Sequence, residues 1–245
     1  MSSYKKKAKP AYKASLYKAP AYKASAATNA KAIAKIIRND QHEVKGMDTT
    51  FNQTTVSAIL SGNDDATPLN LVQMGAGSWN RVGRKIFLKS VRLKGEFLLE
   101  TALQSTTYAG NTIRLVLIWD KQPTGGTIPA WDQIFGHTTQ AGVESTTLMD
   151  SIKFDNMNRF RILKDICVGH GPKSYTGTNT YVERFPFDEY IKLNGLETTF
   201  SGQSDPMTWA DISTGGLLLY ARSAIELSAN KIAIANSVAR IRYLD

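Results

Sequence analysis

The stretch I-R-L-V-L-I-W at residues 113–119, closed by D-K-Q-P-T-G-G at 120–126, reads as a β-strand running into a turn. Only Arg114 interrupts the apolar run. A run this short and this rich in Leu and Ile is long enough for a strand and too short for a stable helix. Apolar side chains fall on both faces, so the strand must be covered on both sides. Pro123, Gly125 and Gly126 then end it.

The pattern repeats outward along the chain. Val91, Leu93, Phe97 and Leu99 alternate with Arg92, Lys94 and Glu96, the period of a half-buried strand. Upstream, Glu43–Gln53 reads as a first strand anchored by Val44, Met47 and Phe51. Ser61–Asp65 is a turn, prolonged by Thr67-Pro68, and Gly75 and Gly77 punctuate the chain before Trp79. Downstream, Trp131–Phe135 makes one helical turn after Pro129. Phe160, Ile162, Ile166 and Val168 alternate with Arg161, Leu163, Asp165 and Cys167. Tyr181–Leu193 is a further strand region, open to a break at Pro186. Gly169–Asn179 and Thr198–Thr214 read as polar loops, and Ile225–Asn236 reads either as strand or as short helix. Leu217–Arg222 and Val238–Leu244 close the chain as strands. Seven or eight strands with long loops and little helix make an all-β antiparallel sandwich. Residues 43–245 are enough for one such domain.

Residues 1–42 have another character. Residues 1–38 hold ten cations and no Asp or Glu: Lys5, Lys6, Lys7, Lys9, Lys13, Lys18, Lys23, Lys31, Lys35 and Arg38. The chain has 30 basic and 21 acidic residues, so the remainder holds 20 against 21. The formal charge of +9 therefore resides in this arm, and the body is close to neutral. Charge segregated in this way suits a polyanion. Tyr12, Tyr17 and Tyr22 recur every five residues, each followed by a Lys. A period of five matches neither strand nor helix, so residues 1–25 are expected to be disordered when free. Lys neutralises phosphate and a neighbouring Tyr stacks on unpaired bases, a pairing that fits single-stranded nucleic acid. Lys5, Lys6, Lys7 and Lys9 also have the composition of a nuclear-import signal. Residues 28–38 have the spacing of a short amphipathic helix that needs a partner to form.

The remaining sequence excludes several classes. Cys167 stands alone, so neither an intrachain disulfide nor a cysteine-based zinc cluster is available. No secretory signal is visible, and the longest apolar runs fall far short of the roughly 20 residues that span a bilayer, so no membrane partner is expected. No nucleophile elbow, zincin, Walker or dinucleotide fingerprint occurs, and the chain is not expected to be an enzyme. His42, His137 and His170 are scattered, Asp64-Asp65 and Asp188-Glu189 are commonly just solvated, and neither a metal nor a cofactor is expected. Arg81, Arg84, Lys85 and Lys89 form a basic cluster leading into a strand, of which Arg84 and Lys85 are candidates for contact with nucleic acid. Arg92/Lys94, Arg159/Arg161 and Arg240/Arg242 are spaced to share a face. They read as an ordinary salt-bridged surface or as an inner wall that extends the arm, and the balanced charge favours the former.

Several segments resemble, in order, the capsid proteins of small circular Rep-encoding single-stranded DNA viruses, the circovirus and geminivirus group. They are V-G-R-K-I-F-L-K-S-V-R-L-K-G at 82–95, I-R-L-V-L-I-W-D-K-Q-P-T-G-G at 113–126 and P-A-W-D-Q-I-F-G at 129–136. N-R-F-R-I-L-K-D at 158–165, E-Y-I-K-L-N at 189–194, T-G-G-L-L-L-Y-A-R at 214–222 and A-R-I-R-Y at 239–243 follow. The resemblance implies an eight-stranded jelly roll that self-associates into an icosahedral shell of about sixty copies or a multiple. It implies a circular single-stranded DNA genome as partner, with host RNA as a substitute cargo, and residence in the virion and in the host nucleus during assembly. The Tyr-Lys pentads depart from the Arg-rich arms common in that group. A body that binds single-stranded nucleic acid through a basic tail without assembling is the alternative.

Overall fold

A computed structural model describes residues 44–61, 66–101, 107–108, 111–123, 126–170, 173–174, 181–203, 206–224 and 230–245. The arm, its tyrosine repeat and the helix expected at 28–38 lie outside these residues.

The regular structure of the described chain is almost all strand. Its strands are β1 (Lys45–Thr50), β2 (Ala66–Pro68), β3 (Lys85–Thr101), β4 (Thr107–Tyr108), β5 (Asn111–Asp120), β6 (His137–Thr138), β7 (Glu144–Ser145), β8 (Phe160–His170), β9 (Lys173–Ser174), β10 (Tyr181–Phe200), β11 (Ile212–Thr214), β12 (Gly216–Ser223) and β13 (Asn230–Leu244). A four-residue helix, α1 (Trp131–Ile134), sits between β5 and β6. One sheet has the order β1-β13-β3-β10-β11 and the other β2-β12-β5-β8, all antiparallel. Leave aside β11, a short extension of the β10 edge, and number the sheet strands one to eight along the chain. The sheets then run 1-8-3-6 and 2-7-4-5. That double Greek key is the jelly roll.

Alternation assigns each face. In β3, Val91, Leu93 and Phe97 are buried while Arg92 and Lys94 are exposed, as the period of two requires. β5 and β12 break the alternation because they are buried along almost their whole length. Residues 115, 117 and 119 pair with 221, 219 and 217 on one face, and residues 114, 116 and 118 with 222, 220 and 218 on the other. The second face is roofed by the β5–β8 connection. Trp131 stacks on Phe135 at 4.2 Å and meets Tyr220 edge-on at 6.2 Å, and the Tyr220 hydroxyl donates to the Pro129 carbonyl at 2.7 Å. Burial pushes the Tyr220 phenol well above its ordinary range, so it remains a donor. Arg114, the one polar residue of the apolar run, is the clamp for this roof. It donates to the carbonyls of Leu148 and Asp150, pairs with Asp165 at 2.6 Å and lies over the Trp131 and Phe135 rings.

Two irregularities reset the strands. Opposite Lys89 in β3, the β10 chain loops through Asn194 and Gly195, both at positive φ, before pairing resumes. Opposite Gly95, β13 carries the extra pair Asn236-Ser237. A Cβ on Gly95 would lie 2.8 Å from the Phe187 ring and 2.9 Å from Ser237 Cβ, so only glycine fits under this bulge.

Several local expectations are corrected. β10 is continuous through Pro186, which pairs with Glu96. There β10 borders β3 on one side and no other described strand, the edge setting that tolerates a residue without an N–H. Thr198–Thr214 is not a polar loop. Thr198 and Phe200 are buried in β10, Met207, Trp209 and Ile212 are buried beyond it, and Asp211 accepts from the Thr208 N–H and hydroxyl to cap a 3-10 turn at Trp209–Asp211. Val44 is no anchor, being 57% exposed, whereas Phe51 is buried. In the region left open between strand and helix, β13 begins at Asn230, and 225–229 lie outside the described residues.

Candidate nucleic-acid interface

The outward face of the first sheet gathers cations that are scattered in the sequence. Cross-strand pairing places them in rows. Asp48, Arg240, Arg92 and Tyr190 stand side by side on β1, β13, β3 and β10. The row on one side is Thr50, Val238, Lys94 and Asp188; the row on the other is Gly46, Arg242, Ser90 and Lys192. Adjacent strands are about 4.8 Å apart, so each row spans on the order of 15 Å, and rows two residues apart are separated by about 7 Å. The described side chains of this face include eight cations, Lys85, Lys89, Arg92, Lys94, Arg184, Lys192, Arg240 and Arg242, against four carboxylates, Asp48, Glu96, Asp188 and Glu197. The near-neutral body therefore carries a cationic face.

Ion pairs organise part of that charge. Arg92 holds Asp188 through two hydrogen bonds of 2.8 Å, and Lys94 reaches the same carboxylate at 3.3 Å. Arg240 holds Asp48 through two bonds of 2.7 Å. Arg184 pairs with Glu96 and Lys85 with Glu197. The Arg92 hydrogen bonds, helped by Lys94, hold the Asp188 carboxyl down at about 2, and the Arg240 hydrogen bonds lower Asp48 likewise. These pairs are exposed, so each contributes little to stability. Among the described residues, Lys89, Lys192 and Arg242 have no carboxylate partner.

Two concavities lie in this face where side chains are small. One, of about 420 Å³, is floored by Ser90 and Val238 and walled by Tyr190 and the cations of the two central strands. The other, of about 680 Å³, opens over Gly46 and Met47 and is bounded by Val44 and Trp79. Arg240 and Arg242 line both. Tyr190 and Trp79 are each 59% exposed, which leaves their rings available to stack.

The structure separates the expected basic cluster. Arg81 is fully buried, donating to the carbonyls of Val72, Gly83 and Gly202 at 3.0, 2.5 and 2.8 Å with its guanidinium 4.2 Å from the Phe200 ring. It is a structural residue. Arg84 is exposed beside it, with its backbone carbonyl accepting from Phe200, and Lys85 is exposed at the start of β3 in its pair with Glu197. The paired spacings also divide. Arg92/Lys94 and Arg240/Arg242 do share the cationic face, whereas Arg159 is committed to the buried Asp120 through bonds of 2.9 and 2.8 Å and Arg161 is exposed on β8. Asp188 and Glu189 point to opposite faces, Asp188 to Arg92 and Glu189 to Lys164, so they do not form a joint cation site. His137 pairs with Asp150 at 2.9 Å, and among the described residues no three His, Cys, Asp or Glu side chains converge as metal ligands.

The sequence did not single out Tyr190, Trp79 or Lys192. Lys192 and Tyr190 were legible only as alternate positions of β10. Which neighbours they meet depends on a strand order that brings residues 46–50, 88–98, 184–192 and 238–242 together.

No curated protein matches the chain. A family model does, over residues 3–241, which takes in both the arm and the body. The family takes in geminivirus coat proteins and the nuclear export factor BR1. With the jelly roll above, this match over nearly the whole length shows that the chain belongs to the geminivirus coat protein/nuclear export factor BR1 family.

Proposed function

We propose that this chain is the self-assembling subunit of an icosahedral shell and that its basic arm packages single-stranded DNA. One observation carries the reading. The ten cations of residues 1–38 account for the whole net charge, while the body that follows is neutral and has a sealed core of its own. A folded body without net charge can associate with copies of itself, and a cationic segment can neutralise phosphate without a fixed sequence. The three Tyr-Lys pairs favour unpaired bases, because stacking needs an exposed base face. The shell is closed by symmetry, about sixty copies or a multiple. Assembly is assigned to the host nucleus, with Lys5, Lys6, Lys7 and Lys9 as the import segment.

The test mixes purified protein with circular single-stranded DNA and images the product by negative stain, followed by nuclease digestion. Closed particles that protect the DNA are expected. A variant with the ten arm cations replaced by Gln is expected to form particles that protect little. A protein that stays monomeric while binding DNA overturns the assembly reading and leaves a simple binding module.

A further inference from the structure

We infer that the roof over the second sheet carries the contact that joins two copies of this chain across a two-fold axis, with Phe154 of each copy seated in the concavity beside Phe154 of the other. The inference rests on the shell reading above and names one surface that such a shell needs. A two-fold contact is isologous, so the same patch must serve on both sides.

Between residues 143 and 157, four large apolar side chains stand exposed: Val143, Met149, Phe154 and Met157. A single exposed apolar residue is ordinary, whereas a cluster marks a contact surface. Met and Phe are among the residues enriched in such surfaces. Phe154 is 90% exposed, which makes it a knob. Beside it lies a concavity of about 580 Å³, whose apolar lining is Met149, Ile152, Phe154 and Met157. That is ample room for a phenyl ring.

The surface is shaped in the single chain. Lys153 pairs with Glu144 at 2.8 Å and His137 with Asp150 at 2.9 Å, which ties the β6–β7 hairpin to the segment that carries the knob. The Lys153 N–H donates to the Ile134 carbonyl at 2.9 Å, and the Asn156 side-chain amide donates to the Gln133 carbonyl at 2.6 Å. The 3-10 turn Phe154–Asn156 is thereby fixed against α1. A preformed knob loses little freedom on docking.

The occupant is a second copy, because the patch holds both halves of the contact. Knob and socket are adjacent, so a two-fold rotation brings each knob to the other copy's socket. The charge is likewise of both signs, with Lys153 and His137 beside Glu144, Asp150 and Asp155. Asp155 has no cationic partner among the described residues, and across the axis it meets Lys153 of the other copy. The exposed face of the first sheet is unsuited to this role, since its excess of cations repels a second copy of itself.

Single-cysteine reporters test the axis. Asp155→Cys and Met157→Cys, which both keep the knob, are made separately in the full-length protein with Cys167→Ser. Assembled particles are treated with a short bismaleimide, and denaturing gels count the joined chains. A covalent dimer and nothing larger is expected from both, with none from Cys167→Ser alone. Phe154→Glu is expected to abolish closed particles while leaving the melting temperature of the unassembled protein unchanged. Closed particles that yield no dimer, or a ladder of three to five chains, overturn the inference and leave the shell reading intact. Particles of Phe154→Glu that match wild type also overturn it. A wild-type protein that forms no particles removes the shell reading and this contact with it.

Discussion

Arg240 stands directly opposite Arg92 in the β13–β3 ladder, with both side chains on the exposed face of the sheet. Like charges in directly opposed positions destabilise a sheet. Each guanidinium is answered by a carboxylate on the side away from the other, Asp48 beside Arg240 and Asp188 diagonal to Arg92, so the two positive charges stand together between two negative ones. A face arranged only for stability has no reason to centre that repulsion. A face that exchanges carboxylate for phosphate does.

Removing a counter-charge tests this exchange. Asp188→Asn keeps the shape of the side chain and frees Arg92 and Lys94. The variant is expected to bind oligothymidylate several-fold more tightly in low salt, with little change in folding stability, because the pair is exposed. Fluorescence anisotropy at several salt concentrations measures it. Unchanged affinity argues that phosphate does not reach this row.

The same carboxylate sets an acid limit. Asp188 is held at about 2 against an ordinary 3.8. A carboxyl depressed in the folded state contributes its full stability above its unfolded value and loses it as pH falls through the folded one. Asp48 and Glu197 are shifted in the same direction by Arg240 and Lys85. Between pH 7 and 5 the wild type and Asp188→Asn should therefore keep a constant difference in melting temperature, a small one because the pair is exposed. That difference should vanish as pH falls from 3.8 toward about 2. Thermal melts across pH decide the matter.

Buried and exposed arginines should behave differently on removal. Arg81→Met leaves three inward carbonyls without their donor, and at about 1–3 kcal/mol for each orphaned group the variant is expected to lose at least about 3 kcal/mol. Arg242→Ala should stay within about 0.5 kcal/mol of wild type. Urea denaturation of the unassembled protein compares the two.

The roof over the second sheet has its own probe. Tyr220→Phe deletes a buried hydroxyl and orphans the Pro129 carbonyl, for a cost of about 1–3 kcal/mol. Hydrogen exchange should show faster opening near α1, with β3 and β13 unaffected. A uniform change across the body contradicts the local role given to this bond.

Much of the fold was legible because its signals are local. The run 113–119 announced a strand covered on both faces, and the structure supplies the two covers: the opposite sheet and the segment around Trp131. Alternation at 91–97 held for the same reason. Position-specific failures came from tertiary context. Pro186 left a break in the strand open because sequence does not show which strand is an edge. Thr198–Thr214 read as a loop because Met207, Trp209 and Ile212 are scattered among Gly, Ser, Asp, Pro and Thr, although all three are buried. Arg81 and Arg84 are three residues apart and similar in composition, yet one is fully buried and the other exposed. Net charge hid the cationic face, since a sum over the body says nothing of how two sheets divide it.

The most direct test of charge segregation is the salt dependence of oligothymidylate binding by the full-length chain and by the variant with Gln at all ten arm cations. For a single strand the log–log slope is about −0.7 per phosphate neutralised, so ten arm cations contribute up to about −7. The wild type is expected to be steep, and the variant to retain a shallow residual slope of about −2 from the cationic sheet face. Identical slopes for the two proteins would contradict the account, because the arm would then not be what grips the strand.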